Sequence, residues 1–242
     1  MHHASDWRSA ARTDIGKVRQ RNEDAFLECP KRGLWAVADG MGGHSGGDIA
    51  SQLIVANLAD LPLYGDFDAH LNAVRQCLRW TNRRLSQELT VSAANPLGIM
   101  GSTVVALLLE GRRAACVWAG DSRCYLWRRQ RLYQLSRDHS LRQQWVVEGR
   151  LSLDQAYAHP AAKALTRAIG ASKELKLEVL ELDVQRGDKF LLCTDGLYQD
   201  LGSKTLGDAM GLSSPSRVVE CLFEEVLNGA ARDNLTAVVI CA

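Results

Sequence analysis

The chain has 242 residues, 46% apolar and 24% charged, and its 29 Lys and Arg nearly balance its 28 Asp and Glu for a formal net charge of +1. Disorder is excluded, since it requires low hydrophobicity and high net charge, and the missing basic excess argues against a nucleic-acid partner. Apolar runs such as Val104–Leu109 fall far short of the roughly 18–20 residues of a membrane span, and the N-terminus lacks a signal-peptide pattern, so a cytoplasmic protein with no membrane insertion is expected.

Two short apolar runs come first, Ala25–Glu28 and Leu34–Ala38. A glycine-rich stretch, Gly40–Gly47, leads to Asp48, which can cap a helix with Ile49, Leu53, Ile54, Leu58 and Leu61 on one side. From about Asp68 to Leu89, apolar positions recur at Leu71, Val74, Leu78, Thr81 and Leu85, which predicts an amphipathic helix. Val91–Gly98 reads as a loop. Four strand-like pieces follow: Ser102–Leu109, Arg113–Ala119, Cys124–Arg128 and Leu132–Leu135. The connections between them are short enough for hairpins. Residues 140–170 read as helix and loop, broken at Pro160. Leu175–Leu182 alternates, but its apolar parity flips between Val179 and Leu180, which suggests a bulge. Lys189–Thr194 reads as a buried strand. Ser214 and Pro215 open a helix in the preferred order, cap then proline, and it carries Val218, Leu222 and Val226 to about Gly229. Leu235–Cys241 is apolar throughout and reads as a central strand.

Strands joined by tight turns pair antiparallel, and helices between strand groups must cover sheet faces. The expected fold class is therefore α+β: a four-layer α/β/β/α sandwich of two mainly antiparallel sheets with helices outside, forming one domain over residues 1–242.

Four times a strand meets an Asp beside Gly or Asn: Asp39-Gly40, Gly120-Asp121, Asp195-Gly196 and Asp233-Asn234. Any one of these is read most simply as a turn. Four together bring carboxylates into one volume if the strands are neighbours, and such a cluster is unfavourable without a cation. Oxygen donors alone select a hard ion, Mg²⁺ or Mn²⁺, and glycine lets a backbone carbonyl approach it. A second stretch, from Asp14 to Asp24, sets Arg19 near Glu23; an arginine beside a metal site suits a phosphate, whereas by spacing alone it reads as a surface charge. The glycine-rich loop after Met41 matches neither phosphate-loop pattern. The seven cysteines are odd in number and contain no Cys-x-x-Cys, so free buried thiols are expected rather than disulfides or a thiolate metal site.

In order along the chain stand Asp14, Gly16, Arg19, Asn22, Glu23 and Asp24; Asp39-Gly40-Met41-Gly42-Gly43-His44; Gly101-Ser102-Thr103; Gly120-Asp121-Ser122-Arg123; Asp138-His139-Ser140; Leu165-Thr166-Arg167; Thr194-Asp195-Gly196; and Asp233-Asn234-Leu235-Thr236. With these motifs the chain resembles the metal-dependent Ser/Thr protein phosphatases of type 2C, in particular compact bacterial members acting against a Ser/Thr kinase, and among them those encoded with type VI secretion systems. The resemblance implies two tightly held Mn²⁺ or Mg²⁺ ions bridged by Asp39, with the Gly40 carbonyl on one of them. Asp195 and Asp233 would complete one ion, Glu23 would hold the other, and Asp121 a third, weaker one. It implies that Arg19 clamps the phosphate of a phosphorylated protein substrate, that a metal-bridging water attacks phosphorus, that no cysteine is catalytic, and that His44 is a candidate general acid. His139 and His159 are read as structural. Residues 141–163 correspond to a flap near the active site, where this chain departs from the pattern: Ala161, Ala162 and Lys163 stand where many relatives carry an Arg and an Asn. Two other functions compete: a phosphoprotein-binding module with a dead site, disfavoured by the intact aspartates, and a hydrolase of small phosphoesters.

Overall fold

The structure, a computed structural model, describes residues 7–42, 46–62, 64–89 and 100–241. The expectations for the loop after residue 90 and for His44 therefore lie outside the described residues. Eleven strands, β1 (Arg8–Asp14), β2 (Asp24–Cys29), β3 (Leu34–Met41), β4 (Gly101–Ser102), β5 (Val104–Glu110), β6 (Arg113–Ala119), β7 (Arg123–Arg128), β8 (Arg131–Gln134), β9 (Glu178–Asp183), β10 (Lys189–Cys193) and β11 (Leu235–Cys241), form two antiparallel sheets among the described residues. One runs β1-β11-β10-β7-β8; the other runs β2-β3-β5-β6-β9, with β4 beside β3.

Period-two alternation on buried strands builds three apolar layers. Trp35, Val37, Val105, Leu107, Phe190, Leu192, Val238 and Ile240 fill the space between the sheets. The opposite faces of β3 and β5 carry Leu34, Ala36, Ala106 and Leu108 against α1 (Gly47–Ala59) and α2 (Phe67–Arg83). The outer face of β10 and β11 carries Leu191, Cys193, Ala237 and Val239 against α5 (Asp195–Tyr198), α6 (Ser203–Met210) and α7 (Pro215–Asn228). The four-layer sandwich agrees with expectation, and β11 is fully buried between β1 and β10.

Helix α2 buries Leu71, Val74, Leu78 and Thr81, and Leu85 follows in the turn after it. Its cap is Asp66, whose carboxylate accepts from the Ala69 amide at 3.0 Å. Helix α1 differs from expectation: it starts at Gly47 without a side-chain cap, and Ile49 stays 47% exposed while Ala50, Ile54 and Leu58 are buried. Ser214 caps α7 by accepting from the Arg217 amide, with Pro215 in the first turn. Ser214→Ala leaves that amide without its partner and is expected to cost about 1 kcal/mol, read as a fall of roughly 2–4 °C in thermal midpoint for a domain of this size.

Two further readings are corrected, and one strand goes unannounced in the sequence. Strand β1 shows no apolar alternation because it is an edge strand with partly exposed residues. Gly120–Ser122 is not a hairpin: it carries the chain from β6 in one sheet to β7 in the other. No bulge interrupts β9, which pairs with β6 in unbroken register from Glu178 to Asp183. Its apolar parity flips because Leu175, Leu177 and Val179 pack on the helix-covered layer while Leu182 packs between the sheets. All seven cysteines are free thiols.

Candidate active site

Antiparallel topology brings particular strand ends together. The ends of β3 and β6, the end of β10 and the start of β11 meet at one end of the sandwich, where a cleft of about 1260 Å³ opens. Arg19, Glu23, Asp39, Gly40, Asp121, Asp195 and Asp233 all line it, so every described residue to which the resemblance gives a metal or phosphate role converges there. Asp39 continues the inward-facing series Trp35, Val37 of β3; at the cleft the apolar filling between the sheets gives way to carboxylates.

The backbone around Asp39 is gripped from β4 and β5. Its amide donates to Thr103 Oγ1 at 3.0 Å, and its carbonyl accepts from the Thr103 amide and Ser102 Oγ, each at 2.9 Å. The loop 15–23 is tied to the start of β11 by Asn234. Its Nδ2 donates to the Ile15 and Arg21 carbonyls at 3.0 and 2.9 Å, and its Oδ1 accepts from the Glu23 amide at 2.9 Å. Gly16 is required there: its φ is +76°, and a Cβ would lie 2.2 Å from the Asp233 carbonyl oxygen. This lock places Arg19 against Asp233, with Nη2 donating to Oδ2 at 2.6 Å.

Asp121 sits where the chain changes sheets. The Gly120 amide donates to His139 Nδ1 at 3.1 Å, and Tyr198 Oη donates to the Asp121 carbonyl at 3.0 Å. His139 is thus a brace for the Asp121 turn, stacked on Trp118; His159 accepts from the Ala161 amide and packs edge-on against Trp145. Beneath lies Arg123, bidentate to Asp138 at 2.8 and 2.7 Å and 3.7 Å above the Tyr198 ring. Arg142 also reaches Asp138, at 3.1 Å. It lies in the first turn of α3 (Leu141–Val147), which α4 (Leu153–Ala158) follows within the segment 141–163.

Electrostatics defines the floor. Burial, followed by the charges of Asp24, Asp195, Asp121 and Asp233, pushes the Asp39 carboxyl well above the usual carboxylate range. Burial and then the Asp195 and Asp138 charges push Asp121 up to about 7. Asp195 is raised by burial and Asp233, against the pull of Lys163 and Arg19. Glu23 is raised by burial and by Asp48. Asp24, opposite Asp39 in the β2–β3 pairing, is raised to about 7 by burial although the Thr236 and Thr194 hydroxyls donate to it at 2.7 and 2.9 Å. The supporting residues Asp24, Thr194, Thr236, Asn234 and Arg123 stand within the motifs quoted from the sequence, but nothing local to them indicates these bracing roles. The Thr194–Thr236 pairing was legible only in the antiparallel register of β10 and β11.

Crowded carboxylates with Arg19 among them fit a divalent cation, and their all-oxygen donor set fits Mg²⁺ or Mn²⁺. No three acidic, histidine or cysteine side chains among the described residues already close around one point. Asp233 is engaged by Arg19, and Asp195 accepts from Gln199 Nε2.

A model of the family described as Protein phosphatase 2C matches residues 16–237. The serine/threonine protein phosphatase PstP of Mycobacterium tuberculosis is 36% identical over 235 residues, covering 96% of this chain but 44% of PstP; the chain thus spans less than half the length of that relative. The serine/threonine phosphatase stp of Listeria monocytogenes is 35% identical over 237 residues, 95% of this chain and 93% of stp. Among solved structures, PppA, a key regulatory component of T6SS in Pseudomonas aeruginosa, superimposes with a TM-score of 0.89 at 41% identity over 98% of both chains. The catalytic domain of PstP in complex with two manganese ions gives 0.83 at 34% identity, over 98% of this chain and 99% of that one. The chain belongs to the protein phosphatase 2C family. No helix among the described residues is long and apolar enough to cross a membrane.

Proposed function

We propose that the protein is a metal-dependent phosphatase of phosphoserine and phosphothreonine in proteins, working in the cytoplasm against a Ser/Thr kinase. The observation that carries this reading is the convergence of Glu23, Asp39, Asp121, Asp195 and Asp233 on one cleft with Arg19 among them. Asp39, Asp195, Asp233, Glu23 and the Gly40 carbonyl are the residues to hold two Mn²⁺ or Mg²⁺ ions, and Asp121 a third. When bound, such ions supply Lewis acidity that turns water into a nucleophile near neutral pH and offsets charge on the phosphoryl group. The chain's own residues do the rest. Neutralising Asp233 releases Arg19 from its ion pair and frees the guanidinium to bond two phosphate oxygens. Asn234 and the Thr103 grip keep Arg19 and Asp39 at fixed separation, which is the positioning part of catalysis. No thiol is called on: Cys193, near the floor, has its pKa pushed up to about 12 by burial, which keeps it protonated and unreactive.

The test is release of phosphate from a phosphothreonine protein by metal-stripped enzyme with and without Mn²⁺, with EDTA reversing the gain. Turnover at the full rate by verified metal-free protein rejects this reading. Hydrolysis of p-nitrophenyl phosphate without action on phosphoproteins favours the small-phosphoester alternative.

Arg19→Ala is expected to raise KM for a phosphopeptide about tenfold or more and to lower kcat less, the pattern of an interaction made in ground and transition states alike. Arg19→Lys recovers part of this, because a point charge lacks the bidentate fork. Wild-type KM in Arg19→Ala would return this arginine to the surface.

A further inference from the structure

We propose that Lys163 is a second phosphate-binding cation of the cleft, delivered by the segment 141–163 and held ready by Gln199. The inference rests on the phosphatase reading and names a further substrate contact within it.

Arg19, Lys163, Arg167 and Lys176 are the cations among the described residues that line the cleft. Arg19 is paired with Asp233, and Arg167 with Glu178 at 2.8 Å. Neither Lys163 nor Lys176 has a carboxylate within ion-pair distance among the described residues, and of these two only Lys163 is held in place, its Nζ donating to Gln199 Oε1, a neutral acceptor next to the floor. An amide acceptor leaves the ammonium without a counter-charge, and exchanging that amide for a phosphate oxygen turns the bond into an ion pair.

Gln199 fixes where that charge stands. It follows α5 one turn after Asp195, and its Nε2 donates to Asp195 Oδ2 while its Oε1 accepts from Lys163. The ammonium is thus one amide away from the floor, and Lys163 and Arg19 are the two cations that pull on Asp195. The backbone on either side of Lys163 is pinned: the Ala162 amide donates to the His159 carbonyl at 2.9 Å, the Ala164 amide to the Ala161 carbonyl at 3.0 Å, and the Arg142 and Leu141 amides to the Ala162 and Ala164 carbonyls at 3.1 and 2.9 Å. The side chain itself is exposed, free to leave Gln199 when an anion arrives. Arg19 grips two oxygens by geometry, and Lys163 adds a mobile point charge.

The probe is inorganic phosphate, measured on the Mn²⁺-loaded enzyme both as a competitive inhibitor and by calorimetric binding, together with calorimetric titration of Mn²⁺. Lys163→Ala is expected to weaken phosphate about tenfold, the loss of one hydrogen bond to a charged group, with Mn²⁺ affinity unchanged; Lys163→Arg restores most of it. Gln199→Ala should leave phosphate affinity within about twofold, because the tether is not the ligand. Unchanged phosphate affinity in Lys163→Ala overturns the proposal. So does a loss shared by Gln199→Ala and accompanied by weaker Mn²⁺ binding, since Lys163 would then act by positioning Asp195. If Arg19→Ala weakens phosphate and Lys163→Ala does not, only this inference falls. Wild-type enzyme that neither binds phosphate nor turns over removes the phosphatase reading as well.

Discussion

Asp39→Asn is expected to lower Mn²⁺-dependent phosphate release about 10³-fold, the upper range for removing one electrostatic element from a preorganised site. It should also make the metal-free protein more stable. The Asp39 carboxyl is buried among Asp24, Asp195, Asp121 and Asp233, and its acidity is suppressed by that burial and by their charges. A neutral amide of the same shape removes the repulsion and can donate to the neighbouring Asp195 carboxylate. Thermal unfolding reads both effects. Mn²⁺ should raise the midpoint of the wild type, because a ligand that binds only the folded state stabilises it. It should do little for the variant, which starts higher. A variant that keeps wild-type turnover, or that loses stability without metal, contradicts the role assigned to Asp39.

Gly40→Ala is the second large effect. A Cβ at position 40 would lie 2.1 Å from the Gly47 carbonyl oxygen and 2.5 Å from that of Glu23. Both are backbone atoms, so either the start of α1 or the entry to β2 has to move. Overpacking of this kind costs about 3 kcal/mol, a fall of roughly 6–12 °C in thermal midpoint for a domain of this size. Glu23 and Asp39 shift with the backbone, so Mn²⁺ affinity should fall too. Gly202→Ala, where an added Cβ meets nothing within 4 Å, is the comparison and should change stability by less than about 1 kcal/mol. Equal midpoints for the two variants would show that the contact at Gly40 relaxes freely.

Which features could be read in advance follows from how far their causes reach along the chain. The stripe of α2 was legible because one helix face meets one sheet, and the period survives packing. The aspartates of the floor were legible because each stands beside Gly or Asn near one end of an apolar strand. The step from β6 to β7 was not: Gly120, Asp121 and Ser122 make a turn in either case, and local chemistry does not say which sheet receives the next strand. Asp24 gave no sign that it would face Thr194 and Thr236, because its partners lie 170 and 212 residues away. The same holds for Lys163, whose amide partner is 36 residues on.

The pairing of β1 with β11 alone has a consequence for how the molecule comes into being. Asp14 stands opposite Leu235, so among the described strands β1 has no sheet neighbour until β11, the strand made after the other ten, has emerged. Closing so long a loop is entropically costly and slow. Asp233 and Asn234, just ahead of that late strand, are the groups that capture Arg19 and the loop before Glu23. A chain made only as far as β10 and Asp195 therefore carries Asp39, Asp121 and Asp195 without the piece that aligns Arg19 with them, and the phosphate clamp proposed for Arg19 is withheld until the sandwich is sealed.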